Sequence, residues 1–291
     1  MLKVAIVGFG NIGKGVFDAL GKCNDLEAVA LVSSQKPEIN IDVFKSIEDI
    51  PKVDVAVLCT PSRLTPSLAE KLLAKGINTV DSYDIHSDIL DVRQRLDKAA
   101  KIHNVSAITG AGWDPGTDSA VRALFEAMAP LGKTYTNFGP GKSMGHTVAA
   151  KAIEGVEDAV SITLPAGKGI HKREVFVKIK KDAIFADVEN SIKTDPYFAK
   201  DDTKVFKVED ICEYDGPAHG VNLERHGEII GGIEHSFSYS MRCNNPALTG
   251  QVLVAAARAV CRQRPGAYTL IEIAPIDLLE GEKEDIIKRM V

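Results

Sequence analysis

The sequence lacks an excess of positive charge. Its 35 lysines and arginines are outnumbered by 40 aspartates and glutamates, so the 291 residues have a formal net charge of −5. Nucleic acids and anionic membrane surfaces attract basic patches, and neither is therefore an expected partner. A scattered basic pocket for a small anion stays compatible with this composition.

Cysteine is sparse and without pattern. The five cysteines, Cys23, Cys59, Cys212, Cys243 and Cys261, are far apart, odd in number and form no CxxC pair. This argues against a disulfide framework and a zinc site, and no histidine or acidic spacing predicts another metal. The pattern favours a reducing compartment, and we expect a cytoplasmic protein.

Long apolar runs are missing as well. None approaches the roughly 20 residues that span a bilayer, and no signal-peptide pattern precedes the first apolar run. Tryptophan occurs once, as Trp113. A lone tryptophan is usually a core residue, but this one lies in the glycine-rich stretch GAGWDPG (110–116), where little core can form.

The first hundred residues alternate between apolar runs and amphipathic stretches. The runs at 2–8, 26–32, 53–59, 77–81 and 105–110 are typical of buried strands, and helices are predicted over 11–22, 64–75 and 86–103. Such alternation predicts a parallel sheet covered on both faces. Right-handed crossovers then give a Rossmann-like, doubly wound α/β fold.

The pattern changes after about residue 133. Strands over 133–139, 173–181 and 236–242 are interleaved with helices near 146–153, 182–193 and 246–262, which predicts a second, α+β domain. We expect a dinucleotide-binding domain over 1–117, to which residues 268–291 return, with a helix near 282–289. The second domain is expected over 118–267.

The stretch GFGNIG predicts a dinucleotide site. It places Gly8, Gly10 and Gly13 in the GxGxxG spacing, directly after an apolar strand and at the start of a helix, which is the context that gives this motif its meaning. The helix N-terminus would supply amide donors to a pyrophosphate. A glycine-rich turn without a ligand and an adenosylmethionine site are the alternatives.

The end of the second strand favours NADP over NAD. NAD-binding proteins usually have a carboxylate there for the ribose 2′-hydroxyl. Here the strand ends in Ser33, Ser34, Gln35 and Lys36, so no carboxylate repels a 2′-phosphate, and two hydroxyls and a cation can bind it. The alternative is that Lys36 is a solvated loop residue.

Three further strand ends carry polar turns: CTPSR (59–63), DSYDIH (81–86) and GAGWDPG (110–116). Ligands of open α/β sheets bind at these ends, so we expect Cys59, Thr60 and Pro61 beside the nucleotide. Asp84 and Asp114 would project near the nicotinamide, with Trp113 at the mouth of the site. The alternatives are helix capping by Asp84, and capping by Asp114 with Pro115 at the first helical position.

The second half supplies the complementary groups. Lys172 and Arg173 follow His171 at a strand start, Thr163 ends another strand, and His235 and Asn245 lie further on. Arginine is the natural bidentate partner of a carboxylate. Each residue alone is explained as well by surface charge, a cap or a satisfied histidine, but together they suggest a site for a distal carboxylate beside two carboxylates suited to an amine.

The sequence as a whole resembles the meso-diaminopimelate dehydrogenase family. The resemblance rests on GFGNIG, VDSYDIH, GWDPG, NFGPGKSMGH, TLPAGKGIHKR and NNPA and runs over nearly the whole chain. The short link between TLP and HKR is similar to the compact branch of the family, some members of which accept other D-amino acids. Phe138 and Met144 stand where the longer branch has tryptophan and glutamine.

The resemblance implies NADP-dependent, reversible oxidative deamination at the D-centre of meso-2,6-diaminopimelate, giving L-2-amino-6-oxopimelate and ammonia, in lysine biosynthesis. It implies a homodimer in which the second domain serves dimerisation and substrate binding. It places catalysis on Asp84 and Asp114, and substrate contacts on Trp113, Phe138, Met144, Gly145, Thr163, Arg173, His235 and Asn245. The cofactor residues are Gly8, Gly10, Asn11, Ile12, Gly13, Ser33, Ser34, Lys36, Cys59, Thr60, Pro61, Ser62, Ser82 and Tyr83.

The sequence is also compatible with three other functions. One is a dehydrogenase of broader D-amino acid range. Another is a different small NADP oxidoreductase, of the homoserine or dihydrodipicolinate type, although those enzymes lack the paired VDSYD and GWDPG turns. The third is a non-catalytic NADPH-sensing protein.

Overall fold

The computed structural model describes residues 1–214, 219–229 and 232–291, without the side chains of Met144, Glu228 and Ile229. Its contacts divide the chain into two compact units. Unit 1 comprises Met1–Ala123 and Pro246–Val291, and unit 2 comprises Leu124–Asn245. Each unit is described by itself.

Unit 1 is built on a seven-stranded parallel sheet. Its elements in chain order are β1 (Leu2–Val7), α1 (Asn11–Leu20), β2 (Leu26–Val32), β3 (Asp42–Phe44), β4 (Val55–Leu58), α2 (Thr65–Ala74), β5 (Asn78–Asp81), α3 (Ile89–Ile102), β6 (Ser106–Ile108) and the start of α4 (Thr117–Met128). After unit 2 the chain adds α7 (Asn245–Val260), β14 (Gly266–Tyr268), two 3₁₀ turns (Leu270–Glu272 and Pro275–Leu278) and α8 (Lys283–Met290). The strand order is β14-β6-β5-β4-β1-β2-β3.

Alternate residues of the strands face two separate cores. Val4 and Ile6 of β1 pack in one core with α1 and α7. Ala5 and Val7 of the same strand pack in the other with α2 and α3. Since successive side chains of a strand point to opposite faces, both faces of the sheet are covered. The predicted Rossmann-like, doubly wound fold is confirmed.

The contacts place the ends of unit 1 at residues 123 and 246, whereas we expected the domain boundaries near residues 117 and 268. The difference lies mainly in α7. Gly250 of this helix would meet the backbone of Gly15 in α1 at 2.6 Å if it carried a Cβ, so the two helices approach too closely for side chains between them. The close packing of small residues joins α7 to unit 1.

Unit 2 contains two smaller sheets. Its elements are the rest of α4, β7 (Lys133–Phe138), β8 (Gly141–Lys142), α5 (Met144–Lys151), β9 (Val156–Gly167), β10 (Ile170–Ile179), α6 (Phe185–Thr194), β11 (Asp202–Lys207), β12 (His219–Ile229) and β13 (Ile233–Cys243). The sheet orders are β11-β10-β9-β8 and β13-β12-β7. A core that includes Val175, Ile192 and Phe198 lies beneath the first sheet.

The sequence pattern did not predict β12, because this strand contains many charged residues. Arg225 is nevertheless buried, and its guanidinium donates to the carbonyl of Ala129 (2.6 and 2.8 Å) and to the hydroxyl of Thr134 (2.7 Å). Hydrogen bonds to charged groups offset much of the desolvation cost. Within the described residues, no helix has the length and apolarity to cross a bilayer.

Candidate active site

The turn between β1 and α1 has the geometry of a phosphate site. Gly8 has a φ of 97°, and a Cβ on it would lie 2.5 Å from the carbonyl oxygen of Cys59. A Cβ on Gly13 would lie 2.1 Å from the carbonyl oxygen of Gly8, whereas a Cβ on Gly10 would meet nothing within 4 Å. In the part of the chain that the structure describes, no side chain caps the first turn of α1. The amides at the start of this helix, among them those of Asn11 and Ile12, are therefore suited to binding an anion.

A cleft of about 570 Å³ begins at this turn and reaches the end of β2. Its lining includes Gly8, Gly10, Ser33, Ser34, Gln35, Lys45, Thr60 and Lys71. Lys36, which we expected here, is exposed and is not among the lining residues. Lys45 lies there instead, and its ammonium group donates to the carbonyl of Ser34 (2.9 Å). It follows the short strand β3, which the sequence pattern did not reveal.

The ends of β4 and β5 are joined by side-chain hydrogen bonds. The Ser62 hydroxyl donates to the Asp84 carboxylate (2.5 Å), and the Asp84 amide donates back to the Ser62 hydroxyl (3.2 Å). Asp84 is exposed, and α3 begins five residues later, so the capping alternative for Asp84 is wrong. Burial raises the pKa of the neighbouring Cys59 thiol to about 12, which keeps it neutral.

Asp81, a residue that the sequence analysis did not single out, connects the two carboxylate-bearing turns. Its Oδ1 accepts from the Tyr83 amide (2.9 Å), the Thr109 hydroxyl (2.8 Å) and the Gly110 amide (3.2 Å). The residue is 1% exposed, and burial raises the pKa of its carboxyl to about 6. Asp81 therefore fixes Ser82 and Tyr83 relative to the start of the GAGWDPG turn.

The GAGWDPG turn differs from the prediction at its C-terminal end. The helix begins at Thr117 rather than at Pro115, because the Gly112 amide first closes a turn onto the Pro115 carbonyl (3.0 Å). Asp114 consequently lies too far before the helix to be its N-cap, and that alternative is wrong. Trp113 is 5% exposed, so it is buried rather than open to solvent.

Asp114 faces a second carboxylate and an arginine. Arg122 lies 2.7 Å from Asp118 Oδ2 and 3.4 Å from Asp114 Oδ1. Burial and the neighbouring charge of Asp114 raise the pKa of Asp118 to about 7, although the positive charge of Arg122 acts in the opposite direction. Asp118 was not a sequence candidate, although its (i, i+4) spacing to Arg122 on a helix is a signal that could have drawn attention to it.

In unit 2 the structure brings together Arg173 and Thr163, two of the predicted substrate residues. They are directly opposed on β10 and β9, and the Arg173 guanidinium donates to the Thr163 hydroxyl (2.7 Å). Arg173 is also ion-paired with Asp201, which the sequence analysis missed. Burial lowers the pKa of His171 and of His146, and the positive charge of Arg173 acts in the same direction on both. A compact polar cluster with a balanced charge results.

Phe138 lies beside this cluster. Its amide donates to the His171 ring (2.9 Å), and its ring lies 5.5 Å from that of His171 and 6.4 Å from that of His219. His219 begins β12 and was not predicted.

The structure does not bring His235 to the Arg173 cluster. His235 pairs with Gly227, six residues along β12 from Val221, which pairs with Phe138. At about 3.3 Å per residue, this separation is about 20 Å. His235 instead stacks on Phe237 and lines a pocket with His226. His219 was not a candidate because β12 was not predicted from the sequence.

The remaining predicted substrate residues are placed as follows. Gly145 lies in the first turn of α5, and Asn245 is the first residue of α7 and is partly buried. Met144 begins α5, but its side chain lies outside the part of the chain that the structure describes.

Comparisons with known proteins agree with both units. Residues 2–107 match the oxidoreductase family with an NAD-binding Rossmann fold, and residues 112–171 match the diaminopimelic acid dehydrogenase C-terminal domain. A meso-diaminopimelate D-dehydrogenase of Bacteroides fragilis is 49% identical, over 100% of this chain and 99% of the relative.

Solved structures give the same assignment. The C. glutamicum DAP dehydrogenase in complex with DAP is 33% identical, covers 100% of this chain and 99% of its own, and has a TM-score of 0.84. An engineered D-amino acid dehydrogenase bound to NADP⁺ is 32% identical with the same coverage and a TM-score of 0.79. The chain is an oxidoreductase that belongs to the meso-diaminopimelate D-dehydrogenase family.

Proposed function

We propose that this protein catalyses the NADP-dependent, reversible oxidative deamination of the D-centre of meso-2,6-diaminopimelate. The amino acid, NADP⁺ and water give L-2-amino-6-oxopimelate, ammonium, NADPH and a proton. The observation that carries the proposal is the pair of strand-end carboxylates, Asp84 and Asp114, in the same unit as the glycine-rich phosphate turn. Two acidic groups suit an ammonium substrate better than a neutral or anionic one.

The preference for NADP rests on the end of β2. Ser33 and Ser34 offer hydroxyls, and Lys45 brings a cation to the same place. A structural relative of the family binds NADP⁺. We assign the 2′-phosphate to these three residues and the pyrophosphate to the amides that start α1.

The nicotinamide of bound NADP⁺ would supply the acceptor for the hydride of the D-carbon. The residues of the chain prepare the amine for this loss. Asp84 orients the ammonium group, Asp114 accepts its proton, and Trp113 excludes water as an apolar wall. The departing hydride needs electron density from nitrogen, so the proton must leave the ammonium group before or during the transfer.

The distal end of the substrate is assigned to the Arg173 cluster of unit 2. Arg173 and Thr163 bind the distal carboxylate, and the neighbouring Asp201 offers an acceptor for the distal ammonium group. We replace His235 by His219 as the histidine of this cluster, because His219 packs against Phe138. Gly145 and Asn245 remain candidates at this end, and Phe138 supplies apolar surface.

One assay tests the proposal and its closest alternatives. NADP⁺ reduction is followed with meso-diaminopimelate, the L,L isomer, D-lysine and D-alanine. We expect turnover of the meso form and none of the L,L isomer. Comparable turnover of D-lysine and D-alanine would replace this function by a broader D-amino acid dehydrogenase, and binding of NADPH without any turnover would replace it by a sensing role.

We further propose that the enzyme is a homodimer that acts in the cytoplasm in lysine biosynthesis. Its five cysteines are free thiols, in keeping with a reducing compartment. Light scattering coupled to size-exclusion chromatography tests the dimer, which predicts twice the chain mass of 31.3 kDa.

A further inference from the structure

Asp118 is an unusual neighbour for a carboxylate that is proposed to accept a proton. Its side chain is fully buried in the first turn of α4, whereas the side chain of Asp114 is 10% exposed. The two carboxyl groups lie within hydrogen-bonding reach of each other. Asp118 Oδ1 is buried and accepts no hydrogen bond from the described residues. A buried carboxylate with an unsatisfied oxygen is costly, so this environment favours a proton on Asp118.

Arg122 lies against both carboxyl groups. Its guanidinium contacts both, at 2.7 Å to Asp118 and 3.4 Å to Asp114. With both carboxyls ionised, the three side chains have a net charge of −1. With one proton bound, their net charge is zero. Among the described residues, no further charged group pairs with either carboxylate.

We propose that Asp118 is a positioning residue that makes Asp114 a stronger proton acceptor, because the two carboxyl groups hold a single proton between them. This inference rests on the proposed function, in which Asp114 receives the proton of the substrate ammonium group. The doubly ionised pair binds the ammonium cation, and with Arg122 the charges then sum to zero.

The step that follows balances in charge. One N–H bond of the ammonium group breaks, and its proton forms an O–H bond on Asp114 that is shared with Asp118. The electron pair stays on nitrogen and assists hydride loss to NADP⁺. The charges of the three side chains change from a sum of −1 to zero, and the substrate nitrogen changes from +1 to neutral, so the total charge is the same before and after the transfer.

The pair explains why a carboxylate works near neutral pH. An isolated carboxylate has a pKa of about 4 and is a weak base, and catalysis is best served by a base whose pKa is near the working pH. Burial raises the pKa of Asp118 to about 7. The doubly ionised pair therefore forms as the pH rises through about 7, and the rate constant kcat/KM should rise with it.

The test is the pH profile of Asp118→Asn, since asparagine has the shape of the protonated acid at every pH. We expect the ratio of wild-type to variant kcat/KM for meso-diaminopimelate to be near 1 at pH 6 and about 10 or more at pH 8.5. Glu126→Gln, a change of an exposed acid on the same helix, is the matched control and should leave the ratio near 1 throughout.

Asp114→Asn, measured in parallel, separates this inference from the proposed function. If Asp114→Asn is inactive and the Asp118→Asn ratio is the same at every pH, Asp118 is structural and the inference fails alone. If Asp114→Asn turns over normally, the proposed role of Asp114 fails as well. NADPH binding and the unfolding temperature report whether each variant is folded.

Infrared spectroscopy of the wild-type enzyme gives a readout that does not depend on the Asp118 variant folding. A protonated-carboxyl C=O band should disappear with a midpoint near pH 7. Asp81, whose pKa burial raises to about 6, adds a second band, and Asp81→Asn removes that contribution. A spectrum with no band that titrates near pH 7 would overturn the inference.

Discussion

Asp84 and Asp114 follow neighbouring parallel strands and receive related tasks, yet their surroundings are opposite. Asp84 is exposed and is held by the neutral hydroxyl of Ser62, and no cation of the described residues pairs with it. Asp114 is largely buried beside Asp118 and Arg122. One carboxylate is exposed to solvent, and the other lies in a largely buried cluster with a second carboxyl group and an arginine.

The position of a carboxylate and its electrostatic surroundings are therefore separate properties of a site. Asp81 fixes the two turns through one buried carboxyl oxygen, so both carboxylates are positioned by the same anchor. What distinguishes them is desolvation and charge. We infer that Asp84 binds and orients the ammonium group and that Asp114 takes its proton.

The largest expected effect is that of Asp114→Asn. Removal of the proton acceptor should lower kcat/KM for meso-diaminopimelate by about 100-fold or more, mainly through kcat. Steady-state kinetics at pH 8.5 measure this loss. If Asp114→Asn changes KM alone, Asp114 serves only substrate binding, and its proposed role as the proton acceptor is contradicted.

Asp81→Asn should change the pH dependence of stability. The pKa of Asp81 is raised from 3.8 to about 6 in the folded protein, so its stabilising protonated form is complete below about pH 4 and is lost as the pH rises through about 6. The free energy of unfolding of the wild type should therefore fall relative to the variant by about 2 kcal/mol between pH 4 and pH 7. Denaturant titrations at both pH values measure this change, and a constant difference would contradict it.

Asp84→Asn should have a smaller effect than Asp114→Asn and one of a different kind. Loss of a solvated charge that contacts the ammonium group should raise KM for meso-diaminopimelate by about 10-fold, with kcat changed only a few-fold. Ser62→Ala, which removes the hydroxyl that holds Asp84, should cause a milder change in the same direction. A dominant loss in kcat would place proton transfer on Asp84 instead.

The smallest effect is expected at the nucleotide end, away from both carboxylates. Lys45→Ala should raise KM for NADP⁺ by about 10-fold or less, because one charged contact to the 2′-phosphate is lost. Lys36→Ala is the matched control, since its side chain is exposed outside the cleft. Equal effects of the two substitutions would refute the assignment of Lys45.

The sequence predicted the sheet and the phosphate turn because both depend on local patterns. Apolar runs identify the strands, and the steric demands on Gly8 and Gly13 follow from their spacing after β1. It also placed Asp84 and Asp114 at strand ends, since parallel strands all end at the same edge of a sheet.

The parts that the sequence did not predict depend on contacts between distant residues or on buried charge. Lys45 follows a three-residue strand too short to show periodicity. Asp201 contacts Arg173 across 28 positions of the chain, and the burial of Asp118 in the first turn of α4 has no local sequence signal. His219 lies on a strand whose charged residues conceal its pattern.

The most direct test of the division between the two carboxylates is a single-turnover measurement with meso-diaminopimelate at a saturating concentration, where differences in substrate binding no longer matter. NADPH formation is followed by stopped-flow absorbance in the wild type, Asp84→Asn and Asp114→Asn. We predict a rate for Asp84→Asn within a few-fold of the wild type and a rate for Asp114→Asn that is lower by about 100-fold or more. Equal losses in the two variants, or a greater loss for Asp84→Asn, would contradict the account.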